Sequence, residues 1–311
     1  MAAMTEAAPL DLRQQRFVRA DDLLPGPIAS VVGYADQDLQ QPIHRGLPSP
    51  YLTFIVTLDV PVIGGFTLDE ALGPNPQRAL VVASGLHLQP AYIAQSVAQS
   101  GVQLAIRPTA ARALFGVPAG ELAGLIAEGA DVVGPSLTAV RSRMIDRPDW
   151  AGRLDDLQAY LIGRMDQRGN SRGLRPELRE AWRWLVRHRG RGRVADLADH
   201  VWLSQRQLRT LFVREYGVSP RSANRLIRFH RTVRAIADRV QQLSGSPTVG
   251  SPESLPRLNL ADLAVGCGYA DQSHLDRDFR QFTGTNPSRW LAEEYGNITA
   301  GGHRNGADEE A

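Results

Sequence analysis

The sequence has no lysine and only one cysteine, Cys267. A single thiol excludes an internal disulfide framework and any multi-cysteine zinc site. Nowhere do about 18 apolar residues follow one another, and no basic stretch leads into an apolar one at the start. Neither a membrane span nor a signal peptide is therefore expected, and a cytoplasmic address is the default. Aromatic residues make up only 6% of the chain, but 43% apolar content over 311 residues is enough for two domains with separate cores.

All positive side-chain charge is carried by arginine, and it is unevenly placed. Residues 1–170 hold 13 Arg against 17 acidic residues, net −4, while residues 171–239 hold 17 Arg against 6, net +11. A basic block of that kind suits a polyanion, with nucleic acid as the leading candidate. The complete absence of lysine also allows a coding bias toward arginine.

Residues 1–20 and 300–311 read as loose tails. Between Pro25 and Leu88 the runs IASVVGY, YLTFIVTLDVPVI and ALVVASGLHL are β-rich and separated by Pro and Gly. SVAQSGVQLAIRP adds another strand, and TAARALFGVPAGELAGLIAEGADVVG alternates helical spacing with breaks. WAGRLDDLQAYLIGRM then keeps Leu154, Leu157, Leu161 and Ile162 on one helical face, as core or as a dimer seam. The expected organisation is α+β: a β-rich domain over 21–166, a linker at 167–173, and an all-helical domain over 174–299. A Ser- and Pro-rich loop interrupts the helical domain between Ser244 and Asn259.

Within the helical part the chain repeats itself. VADLADHVWLSQRQLRTLFVREYGVSP and LADLAVGCGYADQSHLDRDFRQFTGTNP align with one extra residue in the second turn, matching Leu197, Leu208, Phe212, Gly217 and Pro220 to Leu263, Leu275, Phe279, Gly284 and Pro287. Each copy, 194–217 and 260–284, is a helix, a turn, a second helix, a glycine stop and a proline that opens the next helix. In the first copy, Leu208, Leu211 and Phe212 face inward, leaving Arg206, Arg209, Thr210 and Val213 opposite. In the second, Leu275, Phe279 and Phe282 face inward, leaving Ser273, Arg277 and Arg280 outside. A helix-turn-helix offering arginine, hydroxyl and amide groups on its free face has the chemistry to read base edges in a major groove.

These paired motifs closely resemble the two helix-turn-helix units of AraC/XylS-type transcription regulators, over Trp184 to Leu291. The resemblance implies base contacts from Arg206, Arg209 and Thr210 and from Gln272, Ser273, His274 and Arg277. Arg214, Arg221, Arg225 and Arg280 are assigned to phosphates. PRSANRLIRFHRTVRAIADRVQQL is the implied connecting helix; about 20 residues at 1.5 Å each give roughly 30 Å, close to one DNA turn of about 34 Å. Asp276 and Asp278 lie beside the second reading face, where they could accept from cytosine or steer arginines. RPTAARALFGVPAGEL resembles a segment in the sensory domains of one actinobacterial-type group of these regulators. The family's usual β-rich half is a small, cupin-like barrel that holds an effector, with dimerising helices outside. Expected partners are double-stranded DNA, with a small-molecule effector, RNA polymerase and a second copy of the chain left open. No membrane, cofactor or metal is expected.

Several features have plainer readings. Ser273, His274 and Asp276 are near neighbours on one helix and cannot converge as a triad does, so an enzyme is not expected. Cys267, Trp182 and Trp184 read as core. RHRGRGR, residues 187–193, is either a solvated basic loop or a phosphate clamp. His44 and His87 lack a third metal ligand. The rival functions are a non-specific DNA-packaging protein and an enzyme sited in the first domain.

Overall fold

The computed structural model describes residues 17–20, 22–37, 43–96, 98–122, 127–128, 132, 134–168, 173–244 and 258–299. The expected carboxyl-terminal tail, the central part of the 167–173 linker and the interior of the Ser/Pro-rich loop lie outside these residues. Of the expected amino-terminal tail, Phe17–Arg19 is a strand, β1, paired antiparallel with β2.

Two antiparallel sheets make up the first half. One has the order β1-β2-β9-β4-β7-β10 and the other β3-β8-β5-β6. The ranges are Ile28–Gln37 (β2), Ile43–Gly46 (β3), Leu52–Thr57 (β4), Val62–Gly65 (β5), Gln77–Ala79 (β6), Val81–Ser84 (β7), Ala91–Ala94 (β8), Ala98–Ile106 (β9) and Ala127–Glu128 (β10). On β4, buried Leu52, Phe54 and Val56 alternate with half-buried Thr53 and Ile55, the period-2 pattern of a strand with one face in the core. Leu104 on β9 stands between Val31 and Phe54, and this row across three strands is fully buried.

Helices pack on both sheets. α1 (Leu68–Leu72) and α2 (Ala111–Leu114) are short, while α3 (Ser136–Asp146) and α4 (Trp150–Arg168) form an antiparallel pair. α4 buries Leu154, Leu157 and Leu161 within the same chain, which makes this stripe core. Ile162 departs from the expected stripe and is 41% exposed. Gly33 on β2 has a structural reason: a Cβ there would come within 2.7 Å of the Trp150 ring that seats α4 on the sheet.

The second half is helical throughout its described residues: α5 (Pro176–Arg187), α6 (Val194–His200), α7 (Gln205–Tyr216), α8 (Pro220–Ser244), α9 (Leu260–Cys267), α10 (Gln272–Thr283) and α11 (Pro287–Thr299). α6–α7 and α9–α10 are the two repeated units, and both pack on α8. α7 starts at a capping box between Ser204 and Gln207 and ends at Gly217, φ 78°. α10 starts at Asp271, which accepts from the His274 backbone N–H, and ends at Gly284, φ 74°. Each N-cap is worth about 1 kcal/mol, and the left-handed glycines end each helix where only glycine fits without strain.

Candidate nucleic-acid interface

The cores of the two units are equivalent. Phe212 is fully buried against Trp182 and Tyr216, and Phe279 is fully buried against Phe229 and Trp290. Cys267 is buried at the end of α9, as expected for a small apolar residue. With these stripes inward, the opposite faces are left to solvent.

Arg206, Arg209, Thr210 and Arg214 on α7 are exposed, as is Arg221 at the start of α8. The Thr210 hydroxyl donates to the Arg206 carbonyl at 3.0 Å, so its oxygen is available chiefly as an acceptor. On α10, Gln272, Ser273, Arg277 and Arg280 are exposed. His274 is half-buried, edge-on to Tyr269 with ring centroids 5.3 Å apart. Each unit therefore presents an arginine-bearing face to solvent. α8 has 25 residues, and at about 1.5 Å each it is roughly 37 Å long, near one turn of B-DNA at about 34 Å.

Two residues expected at the DNA surface serve the fold instead. Arg225 donates to Asp278 Oδ1 through Nε at 3.1 Å and Nη2 at 2.7 Å, and to Gln281 Oε1 at 2.6 Å. Its guanidinium also lies over the Phe282 ring. Asp278 is buried and points at α8, away from the reading face. Its position follows from helical spacing, because Leu275, Asp278, Phe279 and Phe282 fall at i, i+3, i+4 and i+7. Arg225 thus ties α8 to α10.

The basic loop 187–193 is also partly engaged. Arg187 pairs with Glu180 at 2.9 Å, and His188 stacks on Trp184 at 3.8 Å between centroids. Arg191 donates through Nη2 to the Gly266 carbonyl and covers Gly268, joining this loop to the second unit. Glu180 also accepts from His200, and that bond leads the causes holding its carboxyl below the usual range.

Contacts that no local pattern signals let the first half hold both units. Arg112 on α2 makes a bidentate pair with Glu215 on α7, Nε to Oε1 and Nη2 to Oε2, both 2.8 Å. That hydrogen bond is the main cause raising the Arg112 pKa. Beside it, the 119–122 turn packs so closely on the end of α7 that a Cβ at Gly120 would lie 2.8 Å from the Arg214 carbonyl oxygen and 2.9 Å from the Gly217 nitrogen. The segment RPTAARALFGVPAGEL contains both Arg112 and Gly120, so it is the docking element for the first unit. Toward the second unit, Arg45 on β3 pairs with Glu293 on α11 at 2.8 Å, and Gln281 donates to the Leu88 carbonyl at 3.4 Å. Tyr51 meets His230 of α8 edge to face at 5.4 Å.

In the first half, His87 donates through Nδ1–H to the Gln89 carbonyl at 2.7 Å, and burial lowers its pKa against that bond's opposing effect. Among the described residues, no group of three or more His, Cys, Asp or Glu is placed to hold a metal, and no helix is long and apolar enough to cross a membrane.

No protein-family model and no curated protein matches the chain. Solved structures of ToxT from Vibrio cholerae are similar in layout. One covers 87% of this chain and 98% of its own at 13% identity, TM-score 0.45, and a second covers 85% and 98% at 13%, TM-score 0.47. A third, of ToxT with unsaturated fatty acid bound, covers 84% and 94% at 15% identity, TM-score 0.46. Likeness at this level leaves the family resemblance standing on the repeated motifs themselves. In those motifs, and in a β-rich half followed by two helix-turn-helix units on a shared helix, the chain resembles AraC/XylS-type regulators.

Proposed function

We propose that the protein is a sequence-specific DNA-binding transcription regulator whose α7 and α10 enter successive major grooves on one side of a duplex. The observation that carries this reading is the duplication. Two non-identical units, each with its arginine face outward, sit on one helix about as long as a DNA turn. Arg206, Arg209 and Thr210, with Gln272, Ser273, His274 and Arg277, are the base-reading set. Arg214, Arg221 and Arg280 are assigned to phosphates, which position the protein without specifying sequence. Arg225 is left out of that set because Asp278 and Gln281 hold it.

The β-rich half is assigned an effector-responsive role, since Arg112–Glu215 connects it to the first unit, Gln281–Leu88 to the second, and Arg45–Glu293 to α11. A change in that half would be felt at α7 and α11 directly. Non-identical reading faces favour specific recognition over packaging, because packaging gains nothing from two different surfaces.

Duplex binding measured over a range of salt tests the proposal. The logarithm of the binding constant should fall with the logarithm of salt concentration with a slope of about −0.9 for each phosphate contacted. One duplex should also resist competition by mixed-sequence DNA. Equal competition by every sequence would replace the proposal with the packaging reading.

A further inference from the structure

We infer that Trp202 is a DNA-contacting residue that lays its ring on the sugar–phosphate wall beside the groove entered by α7, an inference that rests on the function proposed above. Trp202 is 93% exposed, and its backbone is left-handed, φ 57°. The repeat shows how unusual both facts are. In the first unit the Trp202 N–H donates to the Asp199 carbonyl at 3.2 Å and the Leu203 N–H to the Ala198 carbonyl at 3.0 Å. In the second, Gly268 donates to Val265 at 3.0 Å and Tyr269 to Ala264 at 2.9 Å. The turns are the same, and Trp202 stands where the second unit has glycine at φ 90°.

A bulky L-residue in this backbone region is strained, and such strain collects at functional sites. Folding alone gives no reason to keep an indole here, because the ring is in solvent. The second turn is closed by the fold itself, since the Arg191 side chain lies over Gly268. The first turn presents a large apolar surface with one N–H donor instead.

Position selects the ligand. Trp202 is two residues before Ser204, the N-cap of α7, and Arg206 follows within the first turn of that helix. If the amino-terminal residues of α7 reach base edges, the chain just before its cap passes over the backbone at the groove edge. An indole suits that place, with an apolar face for deoxyribose and Nε1–H for a phosphate oxygen. Such a contact is independent of sequence, so a mixed-sequence duplex at low salt is a sufficient probe.

The test uses the protein's own fluorescence. Of its five tryptophans, Trp150, Trp182, Trp184 and Trp290 are buried, so acrylamide quenching of the full-length chain reports chiefly on Trp202. With a duplex whose binding is followed separately by anisotropy of a DNA label, the quenching constant should fall at least about twofold as the exposed ring is covered. Trp202→Gly keeps the turn geometry of the second unit and should weaken duplex binding by about fivefold or more. If the duplex binds but Trp202 stays as quenchable as before, or Trp202→Gly binds as tightly as the parent, this contact is wrong while the DNA-binding proposal stands. If quenching instead falls with rising protein concentration and no DNA, the ring belongs to a contact between copies and the inference is overturned. Absence of duplex binding overturns both the contact and the function it rests on.

Discussion

The two helix-turn-helix units share a backbone plan and differ in what they turn toward their neighbours. By the alignment that matches Phe212 to Phe279, Glu215 corresponds to Phe282 and Leu211 to Asp278. The second unit buries Phe282 beside Phe229 of α8, 4.9 Å between centroids, and adds the Arg225–Asp278 pair to the same helix. The first unit puts a carboxylate, Glu215, where the second has that phenyl ring, and directs it to Arg112 of the β-rich half. Both units pack on the connecting helix, but the second adds an ion pair to it while the first sends its ion pair to the β-rich half. A duplication that kept its core has diverged in its anchorage, which gives the first unit the more direct connection to any event in the sheets.

Charge diverges in the same direction. Residues 194–217 carry three arginines against three acidic residues, while residues 260–284 carry two against four. On the proposed DNA-binding reading, the first unit therefore meets less charge repulsion from a duplex than the second.

The largest effects should appear where the copies are alike. Phe212→Ala and Phe279→Ala each remove a fully buried ring and should each cost about 3–5 kcal/mol by denaturant unfolding. A cost in only one of them would break the equivalence of the cores. Next come the two anchoring pairs. Arg225→Ala leaves the buried Asp278 without its cation, and Arg112→Ala does the same to Glu215, each costing about 3 kcal/mol. The comparison sharpens if only Arg112→Ala also alters communication between the β-rich half and DNA affinity, seen as a changed difference between full-length binding with and without a candidate effector.

A smaller effect is expected at the reading face. Arg206→Ala should lose about 1–3 kcal/mol on a selected site and relax preference at one base position, whereas Arg221→Ala should weaken all sequences alike and reduce the salt slope by about one. Uniform loss from Arg206→Ala would move that residue to the phosphate set. The smallest is the release of turn strain: Trp202→Gly should raise thermal stability, by about 1 kcal/mol, because it gives the first turn the residue that its backbone prefers.

Most of the helical half was legible because its signals are local. Apolar spacing of 3.6, glycines at Gly217 and Gly284, and prolines at Pro220 and Pro287 mark helix faces and ends within a few residues of each other. The outward positions of Arg206, Arg209 and Arg277 follow from the same spacing. What could not be read was pairing across the chain. Arg112 and Glu215 are 103 positions apart, and nothing near either predicts the other. Arg225 looked free because its carboxylate partner lies 53 residues away, although the i, i+3 relation of Leu275 and Asp278 already placed Asp278 on the buried stripe. The short strands β1, β3 and β8 escaped notice because three or four residues give too few alternations to show a period.

The most direct test of the central claim is selection of bound sites by the full-length protein from a random duplex library at physiological salt. Two non-identical sequence blocks about one helical turn, roughly 34 Å, apart should be recovered. Recovery of a single block, or of no motif while binding stayed salt-sensitive, would contradict specific reading by both units.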